Sequence, residues 1–147
     1  MRVNYATNVI ENLNPEKVRR ILLCSGKVYY DLLERRQAEK IDDIAIVRIE
    51  QLYPFPAKRL AKVLAKYSNV KEVFWTQDEP MNMGAWYSSQ HHMRKALLEL
   101  NPQLHLQYAG RKAAASPAAG YMALHLAQQE QLICEALGLT SSATVGN

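Results

Sequence analysis

Short apolar runs alternate with segments of helical periodicity along most of the chain, and this alternation limits the fold more than any other feature. Arg20–Cys24 and Glu72–Thr76 are short runs typical of strands, Ile44–Ile49 is continuous and β-branched as expected of a strand buried on both faces, and 104–109 alternates as a fourth strand. Amphipathic segments follow at 27–39, 57–67, 85–100 and 121–137, each with apolar residues three and four apart. Strands separated by helices predict βαβ units with right-handed crossovers, and hence an α/β fold with a mainly parallel sheet covered on both faces.

One domain accounts for the 147 residues, because a domain contains roughly 100–200 residues. We predict the α/β domain over 18–139, preceded by a linker over 1–17 and followed by a disordered tail over 140–147. The hydrophobic fraction of 48% and the charged fraction of 22% exclude a disordered or fibrous chain. The two cysteines form no disulfide framework, and we expect Cys24 and Cys134 to be buried thiols.

The net charge of +4 is spread over helix faces rather than concentrated in one block. Because no zinc-finger spacing or aromatic RNA-binding motif accompanies it, we predict no binding to nucleic acid. No apolar run approaches the roughly 20 residues that span a bilayer, and the first residues lack the apolar centre of a secretory signal. A cytoplasmic location without membrane contact is therefore expected.

Ligands in open α/β sheets bind outside the carboxyl ends of the strands. Three residues in the loops expected there are candidates for holding an anionic effector: Ser25, Lys27 and Arg111. The segment 25–27 can instead be an ordinary turn in which Ser25 caps the following helix, and Arg111 can instead belong to a buried structural ion pair. The sequence contains no P-loop, no nucleophile elbow and no complete dinucleotide-binding motif.

Two further pairs of residues carry chemistry that a catalytic site could use. Asp78 and Glu79 can form a general acid/base pair, or can be carboxylates at the end of a strand that are solvated or cap a helix. His91 and His92 suggest a metal or proton transfer, but neighbouring helical residues point about 100° apart, which makes a shared metal difficult. We therefore expect the histidines to be exposed helix residues, and we assign neither a catalytic residue nor a metal site.

Four sequence segments resemble one known family in the right order. They read LLCSGKVYYDL, AIVRIEQLYPFP, DEP followed by MNMGAW, and YAGRKAAASPA, and they cover most of the chain from Val18 to Leu139. The segments resemble the C-terminal domain of bacterial 2-oxoglutarate dehydrogenases, the thiamine-diphosphate-dependent decarboxylating components of a multienzyme complex. The resemblance implies a three-layer αβα domain of the transketolase C-terminal type. Its mostly parallel sheet would have about five strands and one antiparallel edge.

The same resemblance implies a function for the parent enzyme. That enzyme decarboxylates 2-oxoglutarate in the tricarboxylic acid cycle and passes a succinyl group to the lipoyl domain of the dihydrolipoyl succinyltransferase component. Thiamine diphosphate and magnesium would be held by preceding domains across a homodimer interface, so this fragment is expected to bind neither and to be inactive alone. Its implied roles are dimer assembly and binding of a nucleotide or acyl-CoA effector. The alternative is a freestanding regulatory module that binds a nucleotide or acyl-CoA.

Apolar residues in two connecting loops indicate an interface. The candidates are Tyr53, Phe55, Met83, Trp86 and Tyr87. Because loops normally run over the surface, such side chains are costly to leave in water. Both loops follow strands at the same edge of the sheet, so we expect their apolar side chains to form one patch. A second subunit or a neighbouring domain would cover this patch in the parent enzyme. The isolated chain is therefore expected to self-associate. Tyr53 and Trp86 can instead fold back onto their own helices.

Overall fold

A five-stranded mixed sheet forms the centre of the molecule. The computed structural model of the chain describes residues 3–5, 14–49, 55–110 and 122–139. Its strands are β1 (Val3–Tyr5), β2 (Arg20–Cys24), β3 (Ile44–Ile49), β4 (Glu72–Thr76) and β5 (Leu106–Tyr108). They lie in the order β1-β3-β2-β4-β5, in which β2 to β5 are parallel and β1 pairs antiparallel with β3. The predicted α/β fold, with a mostly parallel sheet and one antiparallel edge, is confirmed.

Within the described ranges, four α-helices cover the two faces of this sheet. They are α1 (Val28–Ala38), α2 (Ala57–Leu64), α3 (Gly84–Leu100) and α4 (Met122–Leu137). Side chains of α2 and α3 pack with one face of the sheet, and those of α1 and α4 pack with the other. The central parallel strands are mostly apolar because both of their faces are buried: every residue of β2 is buried, and the side chains from Ile21 to Cys24 alternate between the two cores.

Part of the segment predicted as a linker belongs to the sheet. Val3–Tyr5 forms the antiparallel edge strand, with Val3 opposite Ile49 and Tyr5 opposite Val47. A short 3-10 helix at Pro15–Lys17 then leads into β2, with the side chain of Asn14 accepting from the Glu16 amide. The rest of the predicted linker and the predicted tail over 140–147 lie outside the described residues.

The helix and strand bounds agree with the prediction to within one residue, except at the end of α2 and the start of β5. Helix α2 stops at Leu64 rather than at Tyr67, although the Tyr67 side chain remains buried in the core. Strand β5 is limited to Leu106–Tyr108, where it pairs with residues 73–75 of β4. In both cases the apolar pattern identifies buried side chains correctly but does not show where the backbone hydrogen bonding ends.

Candidate functional site at the carboxyl edge of the sheet

The carboxyl ends of β2 and β4 mark the point where the connections of the sheet diverge. The chain leaves β2 towards β3 on one side and leaves β4 towards β5 on the other, and β2 and β4 are neighbours. Such a point opens a crevice between two loops, which is the usual ligand site of an open α/β sheet. Here the two loops are 25–27 and 77–83.

A cluster of four polar side chains joins these loops to α1 and α4. The Lys27 ammonium lies 3.0 Å from the Asp31 carboxylate and 3.7 Å from that of Asp78. The Gln129 side chain, on α4, donates to both carboxylates, at 3.0 Å to Asp31 and 2.8 Å to Asp78. Lys27, Asp31 and Gln129 also line a groove of about 500 Å3 between α1 and α4.

The charges in this cluster bear on the predicted anion site. The hydrogen bond to Asp31 and the charge of Asp78 raise the pKa of Lys27, so its side chain stays protonated. One cation nevertheless faces two carboxylates, so an approaching anion meets net negative charge at these side chains.

The other residues predicted for an effector are only partly placed. Ser25 is half-buried after β2, and it does not cap α1: the cap position is Lys27, with no side-chain hydrogen bond at that end. Gly26, with a φ of 80°, makes the turn between strand and helix. Arg111 lies outside the described residues. Effector binding by Ser25, Lys27 and Arg111 stays a prediction.

The loop after β4 is organised by the buried side chain of Gln77, which is 1% exposed. Its amide oxygen accepts from the Trp75 indole at 2.8 Å and from the Trp86 backbone at 3.0 Å. Its amide nitrogen donates to the carbonyls of residues 79, 80 and 83, at 3.1, 2.8 and 2.8 Å. The loop is thus fixed to the core by one side chain whose donors and acceptor are all used.

The interface candidates divide into exposed and buried residues. Met83 is 55% exposed and Tyr87 73% exposed. Trp86 is only 8% exposed and packs at 5.2 Å from the Tyr108 ring, as in the alternative in which it folds back. Phe55 is half-buried, and Tyr53 lies outside the described residues. Among the described candidates, Met83 and Tyr87 therefore carry most of the exposed apolar surface, and Met81 of the same loop is 37% exposed.

The two histidines lie on the exposed side of α3. The expectation that they point apart is wrong for their rings, whose centroids lie 4.0 Å apart. The His92 ring also stacks on Phe55 at 5.3 Å, so side-chain rotation and an aromatic neighbour bring the rings together. Their exposure agrees with the prediction.

Asp78 and Glu79 do not form an acid/base pair. The Asp78 carboxylate faces Lys27 and Gln129, whereas a Glu79 oxygen lies 3.1 Å from the position that a Cβ on Gly84 would occupy. The two carboxylates therefore serve opposite sides of the loop. The expectation for the cysteines is confirmed: Cys24 and Cys134 are buried and unbridged, and burial raises the pKa of the Cys24 thiol.

Two residues of this edge were missed by the sequence reasoning. Arg48 and Thr76 lie on either side of Cys24 in the sheet register. Arg48 donates to the Tyr30 hydroxyl at 3.0 Å, but its Nε and the Thr76 hydroxyl are buried without a hydrogen-bond partner among the described residues. The available signal was a single charge in the otherwise apolar strand β3.

The described ranges contain no group of three His, Cys, Asp or Glu side chains suited to a metal ion. They also contain no helix long and apolar enough to cross a membrane.

Comparison with known proteins identifies the family. The 2-oxoglutarate dehydrogenase C-terminal family matches residues 3–137. The chain is similar to the 2-oxoglutarate dehydrogenase E1 component of Azotobacter vinelandii, with 60% identity over 127 residues that cover 86% of this chain and 14% of that protein. The E1 component of Haemophilus influenzae is 53% identical over 128 residues, 87% of this chain and 13% of that protein. The E1 component of Coxiella burnetii is 50% identical over 130 residues, which cover 87% of this chain and 14% of that protein.

The chain spans about one-seventh of the length of these relatives. It matches the family nearly from end to end, and its fold is the one that the resemblance implies. The chain belongs to the 2-oxoglutarate dehydrogenase C-terminal family.

Proposed function

We propose that the chain is the C-terminal domain of a decarboxylating 2-oxoglutarate dehydrogenase component. The whole enzyme would convert 2-oxoglutarate to CO2 and a succinyl group on the lipoyl domain of the dihydrolipoyl succinyltransferase component. The identity of 60% to the Azotobacter protein supports this proposal. The relatives reported above are all 2-oxoglutarate dehydrogenases, and none supports the alternative of a freestanding effector-binding module.

Within that enzyme, the role proposed for this domain is assembly rather than chemistry. The described residues do not fit the magnesium of a thiamine diphosphate site, because they offer no cluster of metal ligands. Thiamine diphosphate would therefore be held by parts of the enzyme that this chain does not match.

The observation that carries the assembly role is the exposed apolar surface of Met83 and Tyr87, beside a loop that Gln77 holds in place. Covering a large apolar side chain contributes about 1.5–3 kcal/mol. A loop that is already fixed loses little further conformational freedom on association. The proposed occupant is another domain of the parent enzyme or the second subunit of its homodimer.

A chimeric enzyme tests this proposal. The chain replaces the matching region of the Azotobacter enzyme, and the chimera is compared with a deletion that lacks the region. We expect the chimera to be a dimer that releases CO2 from 2-oxoglutarate and the deletion to be inactive. A dimeric chimera without activity, beside an active parent, would contradict the proposal.

A pair of variants in the chimera locates the interface. Tyr87 and Leu98 are both exposed apolar residues of α3, 73% and 56% exposed, but only Tyr87 lies at the carboxyl edge of the sheet. Tyr87→Asp should lower activity and shift the enzyme towards monomers in sedimentation, whereas Leu98→Asp should do neither. Equal effects of the two substitutions would show that the carboxyl edge has no special role.

A further inference from the structure

A groove of about 550 Å3 runs between α2 and α3, on the side away from the polar cluster. Alanines form its floor, and they repeat every fourth residue along α2. Residues of α3 complete the lining, and three lysines stand on the rim. The small residues are Ala57, Ala61, Ala65 and Ala96, and the lysines are Lys58, Lys62 and Lys95. Because methyl groups leave rows of side chains far apart, the groove can admit the ridge of a further helix.

The lysines of this groove differ from most other cations in the described part of the chain. Lys17, Lys27 and Arg35 each lie within 3.0 Å of a carboxylate. In the described ranges, Lys58, Lys62 and Lys95 have neither a hydrogen bond nor an ion pair, and all three are exposed. No aspartate or glutamate occurs in the sequence between Glu50 and Glu72, so α2 itself supplies no compensating charge.

We propose that this groove binds an acidic amphipathic helix of a partner protein. The partner's small apolar side chains would cover the alanine floor, and its carboxylates would meet the three lysines. A compact anion such as phosphate fits less well, because four of the nine lining residues are alanines and lysine side chains are mobile point charges.

The charged rim also indicates a separable partner rather than another part of the same polypeptide. Permanent interfaces are more hydrophobic than transient ones, and lysine is depleted in interface cores. Glu99, at one end of the groove, is its only acidic lining residue. Glu99 would therefore orient the bound helix, because the carboxylates of that helix would lie away from the Glu99 end of the groove.

The probe is a fluorescein-labelled peptide of about 20 residues, long enough to form a helix. It contains Glu, Ala and Leu, with the apolar residues three and four apart. Fluorescence anisotropy measures its binding to the 147-residue chain, beside a scrambled peptide of the same composition. A single-stranded oligonucleotide and vesicles of anionic phospholipid are the competing anionic probes.

Four protein variants make the measurement specific to the groove. Lys58→Glu with Lys62→Glu should weaken binding about tenfold or more, because attraction becomes repulsion. Lys40→Glu with Lys71→Glu has the same net charge and alters exposed lysines elsewhere, so it should change binding less than threefold, as expected for distant charges at moderate salt. Ala61→Leu, which fills the floor without changing charge, should weaken binding, and Glu99→Lys should strengthen it. Circular dichroism verifies that each variant is folded.

Several results would overturn the proposal. These are equal binding of the scrambled peptide, equal losses in the two double variants, or no binding at about 1 mM peptide. Tighter binding of the oligonucleotide or of the vesicles, with loss in Lys58→Glu/Lys62→Glu, would assign the lysines to a different class of partner. If Ala61→Leu fails to fold, the two charge variants still test the proposal, because Lys58→Glu/Lys62→Glu should weaken peptide binding and Glu99→Lys should strengthen it.

Discussion

Gln77 is expected to be the most sensitive polar residue of the carboxyl edge. Replacing it with leucine removes an acceptor from two buried donors, the Trp75 indole and the Trp86 amide. An unsatisfied buried donor costs about 1–3 kcal/mol, so two of them give about 2–6 kcal/mol. The three loop carbonyls also lose a donor, but they lie where water can replace it. We therefore expect the lower half of that range, about 2–4 kcal/mol, from a total stability of typically 5–15 kcal/mol.

The assay is urea unfolding followed by tryptophan fluorescence. Trp75 and Trp86 are the only tryptophans of the chain, and both touch Gln77. Gln77→Leu should lower the midpoint and alter the native emission spectrum. Gln37→Leu, at an exposed position on α1, is the matched control and should change stability by no more than about 0.5 kcal/mol. A loss below about 0.5 kcal/mol in Gln77→Leu would refute the reasoning.

Gln77→Glu separates the role of the amide oxygen, which accepts hydrogen bonds, from that of the amide nitrogen, which donates them. The carboxylate keeps the acceptor but places an oxygen against the loop carbonyls, which favours the protonated form and raises the pKa of the new side chain in the folded state. The stability deficit should therefore be smallest below the unfolded pKa, near pH 4, and should grow as the pH rises through the folded pKa. A deficit independent of pH between about 4 and 8 would show that the amide donors do not matter.

Four further predictions follow from individual contacts. Arg20→Ala should cost about 3 kcal/mol in urea unfolding, because it removes a nearly buried cation from a carboxylate of β4 and from the last carbonyls of α4. Thr76→Val should leave stability unchanged or raise it, since the buried hydroxyl has no partner to lose. Native Cys24 should resist a thiol reagent that modifies it in urea, because burial raises its pKa. The hydrogen bond from Arg35 lowers the pKa of Glu130 in the folded state. The contribution of Glu130 to the free energy of unfolding should therefore be present above about pH 4 and be lost as the pH falls through the lowered pKa. Glu130→Gln should remove this pH dependence from the stability curve.

The sheet could be predicted from the sequence because its central strands are buried on both faces. Residues 20–24 and 44–49 are mostly apolar, and the structure begins and ends both strands where the sequence predicts. Val3–Tyr5 gave no such signal, because a three-residue edge strand has few side chains to bury and depends on the pairing edge that β3 offers.

The candidate site could be predicted only where its contacts are local. Lys27 and Asp31 are four residues apart on one helix, a spacing that brings side chains together. Asp78 and Gln129 join them from distant parts of the chain, so their contribution depends on how α1, β4 and α4 pack. The sequence therefore accounts for the proximity of Lys27 and Asp31 but not for the approach of Asp78 and Gln129 to them.

Core stability and the proposed interface are linked through Gln77. One end of its amide completes the hydrogen bonding of Trp75 in the core, and the other end holds the carbonyl of the exposed Met83. Loss of this side chain should therefore weaken assembly of the chimeric enzyme although no exposed atom is changed. Tyr87→Asp alters the surface alone, so it should weaken assembly while leaving the urea midpoint of the chain unchanged. If the loop were independent of the core, each of the two substitutions would change either assembly or stability but not both. The observed contacts predict that Gln77→Leu lowers both, and that only Tyr87→Asp lowers assembly alone.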